Sequence, residues 1–244
     1  MDNEKRIILL SRGSLGVYCY HLLKDMGFKV CAVVSNDSIV SGLGEPLLYQ
    51  EAKKDNLMFI SNDQRNEDRI LSVIKEKHVD YLLSVQHIWV LSKNLLDAVK
   101  EAYNIHNAKL PEYKGYYSIS HAILNGDKTY TSTAHYMIPK VDSGDIIFEK
   151  SVPIEENDTA KSLYDKTIES CKFLADKLIN HVANGWEIPR KKIEGEGKFY
   201  NKASLDKYKV MEPEQITKQI VCAMYFPPQT ARIKLKGETY ALSL

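Results

Sequence analysis

Short apolar runs of β type alternate with amphipathic stretches along the first half of the chain. "RIILL" (6–10) stops at "SRGSLG". "LGVYCYHLLKDMG" has helical spacing and ends at Gly27, and "KVCAVVS" (29–35) is a second β-type run. Strand, glycine-bearing turn, helix and strand predict a βαβ unit with a parallel sheet and right-handed crossover. The rhythm continues through helix "EPLLYQEAKKDN", strand "LMFIS", helix "NEDRILSVIKEKH" and strand "DYLLSV". Helix "SKNLLDAVKEA", with Ser92 as its N-cap, and strand "YNIHN" complete it. The pattern predicts a doubly wound, Rossmann-like α/β core to about residue 110.

Beyond that point the pattern changes. "YYSISHAILNG" reads as a helix closed by Asn125-Gly126. "TYTSTAHYMI" alternates and is rich in Thr and Tyr, so it predicts a strand, and "IIFEKSVPI" (146–154) predicts its antiparallel partner. The longest helix starts near Asp158/Thr159 and ends at Asn184-Gly185. Residues 186–210 are basic and irregular, and read as a linker or substrate-edge loop. "EPEQITKQIVCAMY" predicts a short helix, and "ARIKLKGETYALSL" a hairpin turning at Lys236-Gly237. The expected division is a core over 1–185 and an appendage over 186–244, made of linker, short helix and C-terminal β-hairpin.

Composition narrows the class. The chain has 244 residues, 44% hydrophobic and 27% charged, which suits a globular protein with a sizeable core. Thirty-three basic and 32 acidic side chains give a net charge of +1, so a nucleic-acid partner is not expected. The four cysteines are scattered, without a C-x-x-C pair, and read as free thiols in a reducing compartment. No apolar run approaches the roughly eighteen residues of a membrane span. The run in "MDNEKRIILLSRG" is too short for a signal peptide. A cytoplasmic location without membrane association is the expectation.

Candidate chemistry gathers at strand ends. Ligands of open α/β sheets bind beyond the carboxyl ends of the strands, where "SRGSLG", "SVQHIW" and the end of "YNIHN" fall. Asn104 and His106 are two apart on a strand, so their side chains share a face. The "VDSGD" turn offers Asp142 and Asp145. A carboxylate beside an imidazole raises its basicity and fixes its tautomer. An amide beside both can donate to a developing oxyanion. Such a set suits acyl transfer to an amine without a covalent intermediate, and it is a poor metal ligand set.

The stretch "NIHNAKLPEYKGYYSISHAILNGDKTYTSTAHYMIPKVDSGDII" resembles the formyltransferase family that uses 10-formyltetrahydrofolate. The shared features are a strand-end Asn-x-His, Leu-Pro-x-Tyr-x-Gly, "AILNG", Thr-x-His-Tyr-Met and an Asp in a glycine turn before "DII". The resemblance implies Asn104, His106 and Asp142 as catalytic residues. It implies 10-formyltetrahydrofolate as co-substrate, with no metal. One folate wall would be "SVQHIWVLSKNLL", with Gln86, Ile88, Trp89, Val90 and Leu91. The other would be "IPKVD", with Pro139, Lys140 and Val141.

Within that family, the region 186–244 is shorter than the basic second domain of the initiator-tRNA enzymes. "SRGSLG" matches weakly the phosphate loop of the enzymes that formylate glycinamide ribonucleotide. "SVQ", "FYNK" (199–202), "YFPP" (225–228) and the short hairpin resemble the branch acting on nucleotide-linked amino sugars. That branch implies a substrate such as dTDP-4-amino-4,6-dideoxyglucose, an O-antigen or related glycan pathway, and a homodimer through the C-terminal hairpin. Substrate contacts expected on this basis are Arg12, Ser14, Lys109, Tyr113, Tyr200, Asn201 and Lys202. The competing expectations are another small amine as acceptor, including glycinamide ribonucleotide or a 3-amino sugar, a folate deformylase, and a non-catalytic folate- or nucleotide-binding module.

Overall fold

The computed structural model describes residues 4–35, 47–61, 66–87, 89–226 and 230–242. In chain order the core comprises β1 (Arg6–Leu10), α1 (Gly13–Asp25), β2 (Lys29–Ser35), α2 (Leu47–Lys54), β3 (Phe59–Ser61), α3 (Glu67–Lys77) and β4 (Tyr81–Val85). It continues with α4 (Lys93–Asp97), β5 (Glu101–His106), β6 (Lys114–Gly115), α5 (Ser118–Asn125), β7 (Thr129–Tyr136), β8 (Ile146–Pro153) and α6 (Ala160–Asn184). Beyond α6 lie β9 (Phe199–Tyr200), β10 (Val210–Met211), α7 (Lys218–Met224), β11 (Arg232–Leu235) and β12 (Glu238–Ala241).

Seven strands form one sheet in the order β3-β2-β1-β4-β5-β7-β8. The first five are parallel, while β7 is antiparallel to β5 and β8 antiparallel to β7. This is the expected doubly wound α/β core, extended at one edge by a hairpin. Helices cover both faces, which explains why the parallel strands read as nearly unbroken apolar runs. Alternation divides the core. Ile7 and Leu9 join α1 and α6 residues such as Leu15, Leu23, Leu174 and Leu178 in one cluster. Ile8 and Leu10 pack on the other face with Ile70, Val73 and Ile74 of α3 and Leu95 of α4. Thr159 caps α6 through a reciprocal pair with Ser162, and Gly185 ends it in the left-handed region at φ 67°.

Three elements differ from the sequence reading. The helix read over "SKNLLDAVKEA" stops at Asp97, because Glu101 and Ala102 pair with Tyr81 and Leu82 on β4. Ser92 does cap it, accepting the Leu95 N–H. "EPEQITKQIVCAMY" is broken: a 3-10 turn at Pro213–Gln215 ends at an extended Ile216, and Thr217 then caps α7. The linker 186–210 contains β9, which pairs with β6. The terminal hairpin forms with Lys236 at φ 50° and Gly237 at φ 86°, and β10 joins it as a third strand. Among the described residues no helix is long and apolar enough to cross a membrane.

Candidate active site

The site begins with alternation on β5. Tyr103 and Ile105 enter the α1/α6 side of the core, which turns Asn104 and His106 to the opposite face. β7 places His135 directly opposite Asn104 and Thr133 opposite His106. Ala134 and Tyr136 face the same core as Ile105, so His135 shares the face of Asn104. The segment 137–145 between β7 and β8 folds back across this face. It brings Asp142 Oδ2 to 3.7 Å from His106 Nε2 and Asp142 Oδ1 to 3.7 Å from His135 Nε2.

Backbone geometry fixes the carboxylate. Asp142 adopts a left-handed conformation, φ 45°, which Asp tolerates better than most residues. Its Oδ2 accepts the Gly115 N–H at 3.1 Å. Gly144 passes so close to the Tyr136 carbonyl that any Cβ there would collide with it. The "VDSGD" turn therefore depends on its glycine for a close approach.

Hydrogen bonds settle which atoms are available. His135 Nδ1 lies 2.8 Å from the Tyr136 carbonyl and must carry the proton. Its Nε2 is then an acceptor and takes a hydrogen from Asn104 Nδ2 at 3.0 Å. Asn104 Oδ1 accepts the Ser84 hydroxyl at 2.7 Å. The amide is thus held in one orientation, with the second Nδ2 hydrogen uncommitted by these bonds. His106 Nε2 lies 2.9 Å from the Tyr113 carbonyl, so it too is the protonated nitrogen. Nδ1 is left as the basic atom of His106. Burial presses His135 down to about 4, against the opposing pull of Asp142, so at neutral pH it stays uncharged and able to accept from Asn104.

His87 and His121 are likewise pushed down to about 4 by burial. All three folded values lie below the ordinary 6.5, so the unfolded chain protonates first. Stability is complete above pH 6.5 and falls as pH drops from 6.5 toward 4. Urea midpoints measured from pH 7 to 4.5 should fall through this window. In His121→Asn the decline should be shallower, and a decline as steep as wild type would contradict the assignment of His121.

The remaining expected residues separate into groups. Gln86, at φ 57°, donates its side-chain amide to the Tyr164 hydroxyl at 2.9 Å. Trp89 and Val90 are exposed, whereas Leu91 is buried in the core. Ile88 lies outside the described residues. Pro139, Lys140 and Val141 are exposed on the segment carrying Asp142. Arg12 occupies the N-cap position of α1 and Ser14 is exposed in its first turn. Lys109 pairs with Glu112 at 2.6 Å, and the exposed Asn201 accepts the Ala203 N–H. Tyr113 and Tyr200 are placed differently from an open nucleotide-stacking surface. Both are buried, stacked at 5.9 Å, with His121 against Tyr200 at 3.7 Å. Lys202 Nζ sits 5.2 Å from the Tyr116 ring and 6.0 Å from the Trp89 ring, joining the loop after β4 to that after β6. The sequence reading passed over His135, Ser84 and the Tyr113 carbonyl. His135 was legible as the imidazole-bearing residue of a strand whose Ala134 and Tyr136 turn to the core.

An oriented amide, an imidazole with a free ring nitrogen and a carboxylate shared between two histidines meet on one face of a doubly wound sheet, an arrangement suited to acid–base chemistry. The chain belongs to the formyl transferase family, whose domain matches residues 5–175. It is similar to a methionyl-tRNA formyltransferase of Clostridium tetani, 30% identical over 181 residues, 72% of this chain and 58% of that protein. Among the first curated relatives, the chain spans between 27% and 65% of their length. Among solved structures, a 4-N formyltransferase from Francisella tularensis superposes with TM-score 0.79 at 18% identity, over 98% of this chain and 97% of that one. An N-formyltransferase from Helicobacter canadensis, in complex with folinic acid and dTDP-3-aminofucose, superposes with TM-score 0.74 at 21% identity, over 91% and 81%.

Proposed function

We propose that the protein transfers a formyl group from 10-formyltetrahydrofolate to the amine of a nucleotide-linked amino sugar. The observation that carries this reading is the convergence of Asn104, His106 and Asp142 on one face, with His135 fixing the amide. Support for N-formyl transfer comes from the Francisella 4-N formyltransferase, whose fold runs alongside this chain almost end to end. The Helicobacter structure shows that a chain of this fold takes a formyl folate with a dTDP-amino sugar.

The residues fit a folate. Trp89, Val90, Ile138 and Val141 are exposed apolar side chains on the segment that follows β4 and on the one that carries Asp142. Among the described residues neither buried ring nitrogen of His87 has a hydrogen-bond partner. In our reading the segments 86–91 and 138–141 hold the folate, which supplies an activated formyl carbonyl. His106 Nδ1 takes the proton from the attacking amine and returns it to the folate nitrogen as the bond from that nitrogen to the formyl carbon breaks. Asp142 and the Tyr113 carbonyl stabilise the resulting imidazolium at Nε2. The uncommitted Nδ2 hydrogen of Asn104 meets the oxygen on which negative charge develops. Arg12, Ser14 and Lys202 are our choice for the nucleotide-sugar side.

The acceptor we favour is dTDP-4-amino-4,6-dideoxyglucose, in O-antigen or related glycan assembly, by a cytoplasmic enzyme. The test is a panel of dTDP- and UDP-linked amino sugars with 10-formyltetrahydrofolate, read by mass spectrometry for a formyl gain. No gain on any member would overturn the reading. Homodimerisation is a second part of the proposal. β12 is exposed along its length at the edge of a small sheet, with Leu235 and Tyr240 bare, and such an edge invites pairing. Deletion of residues 230–244 should convert a dimer to a monomer by light scattering. An unchanged dimer would exclude the hairpin as the interface.

A further inference from the structure

Lys114 is 6% exposed, an unusual place for an ammonium, whose burial is costly unless its hydrogens find acceptors. Among the described residues it is ion-paired with no carboxylate. Its Nζ donates instead to Ser143 Oγ at 3.2 Å and to the Glu196 carbonyl at 2.8 Å. Ser143 Oγ passes its own hydrogen to the Val141 carbonyl at 2.7 Å. The ammonium is therefore bonded into the turn that carries Asp142. The next residue, Gly115, gives its N–H to Asp142 Oδ2. Two successive residues thus grip the catalytic turn, one at the carboxylate and one at its neighbour.

The same two residues anchor another segment. Lys114 pairs with Phe199 and Gly115 with Tyr200 across β6 and β9. Gly197 runs so close to the Pro111 carbonyl that a Cβ there would collide with it. The chain from Glu196 to Tyr200 is seated on Lys114 as firmly as the Asp142 turn is.

We propose that Lys114 is a positioning residue of the formyl-transfer centre. Its ammonium, bonded through Ser143, holds the Asp142 turn in place against His106 and His135. It also couples that turn to the segment 196–200. The role rests on the formyl-transfer reading. The charged and titratable groups around it are few. His106 and His135 face Asp142 from β5 and β7. Asp145 is turned to Arg190 at 4.0 Å, and Lys109 pairs with Glu112. Lys140 is exposed, and Lys198 lies over the Tyr200 ring.

The test compares Lys114→Met, Lys114→Arg and Ser143→Ala in the full chain. In Lys114→Met, kcat should fall by about tenfold or more while KM for the formyl donor changes little. Lys114→Arg keeps donors for Ser143 and Glu196 and should recover part of the rate. Ser143→Ala loses the tether, so kcat should fall there too, again with little change in KM. The His106 ring resonances in the free protein supply a readout independent of turnover: they should shift in Lys114→Met as the Asp142 turn moves. Wild-type kcat and unmoved His106 resonances in a folded Lys114→Met overturn the proposal. Should that variant not fold, wild-type turnover in Ser143→Ala overturns it. Should wild type formylate no amine, the function reading fails, and the His106 resonances still decide whether Lys114 acts on this centre.

Discussion

Asn104→Ala is expected to lower kcat by about 10²–10³-fold, equivalent to about 3 kcal/mol, the range found when one oxyanion donor is removed. The reason is positional. One Nδ2 hydrogen of Asn104 is spent on His135 and its Oδ1 on Ser84. The amide cannot rotate without setting its oxygen against a bare His135 nitrogen. Its remaining hydrogen is therefore aimed before substrate arrives, at no reorganisation cost during reaction. A contact of this kind strengthens only as charge develops, so kcat should carry the loss and affinity for the folate should not. The substitution also strands the Ser84 hydroxyl and His135 Nε2, which costs about 1–3 kcal/mol for each buried group left unpaired. Urea unfolding run beside the kinetics separates the two effects. Near-normal turnover in the folded variant would remove Asn104 from the mechanism.

Much of the arrangement was legible because the relevant physics is local. "RIILL", "KVCAVVS" and "DYLLSV" could hardly be anything but strands buried on both faces. The Asn104/His106 pairing followed from a period of two. Thr159 and Ser92 are caps that sequence alone identifies, and both function as caps here. "VDSGD" read as a glycine-bearing turn, and Gly144 supplies the close approach to the Tyr136 carbonyl that this turn makes.

What escaped the sequence depends on partners distant along the chain. Helix propensity favours continuing "SKNLLDAVKEA", but pairing of Glu101 with Tyr81 takes those residues into the sheet. Tyr113 and Tyr200 look like surface aromatics until β6 and β9 pair and bury them together. Nothing in "EYKGYY" announces that Ser143 and Glu196 will close over Lys114. The tautomer of His106 is set by the carbonyl seven residues downstream, a backbone contact that no side-chain pattern records.

Asp142→Asn is expected to cost on the order of 10³–10⁴-fold in kcat, the scale seen when a carboxylate that orients a catalytic histidine becomes an amide. The replacement is nearly isosteric, so one oxygen can still accept the Gly115 N–H and the turn should stand. What disappears is the negative charge that lies 3.7 Å from both His106 Nε2 and His135 Nε2. Without it, the imidazolium formed on His106 keeps only the Tyr113 carbonyl as a partner. His135 also loses the one charge that pulls its protonation upward, so it should stay neutral to still lower pH and continue to hold Asn104. The defect should therefore appear in proton transfer and not in the amide. Asp145→Asn provides the control, because Asp145 faces Arg190 and is nearer solvent. It should keep turnover within about twofold, as expected of a surface ion pair. The opposite pattern, with Asp142→Asn active and Asp145→Asn dead, would move the carboxylate role three residues along the same turn.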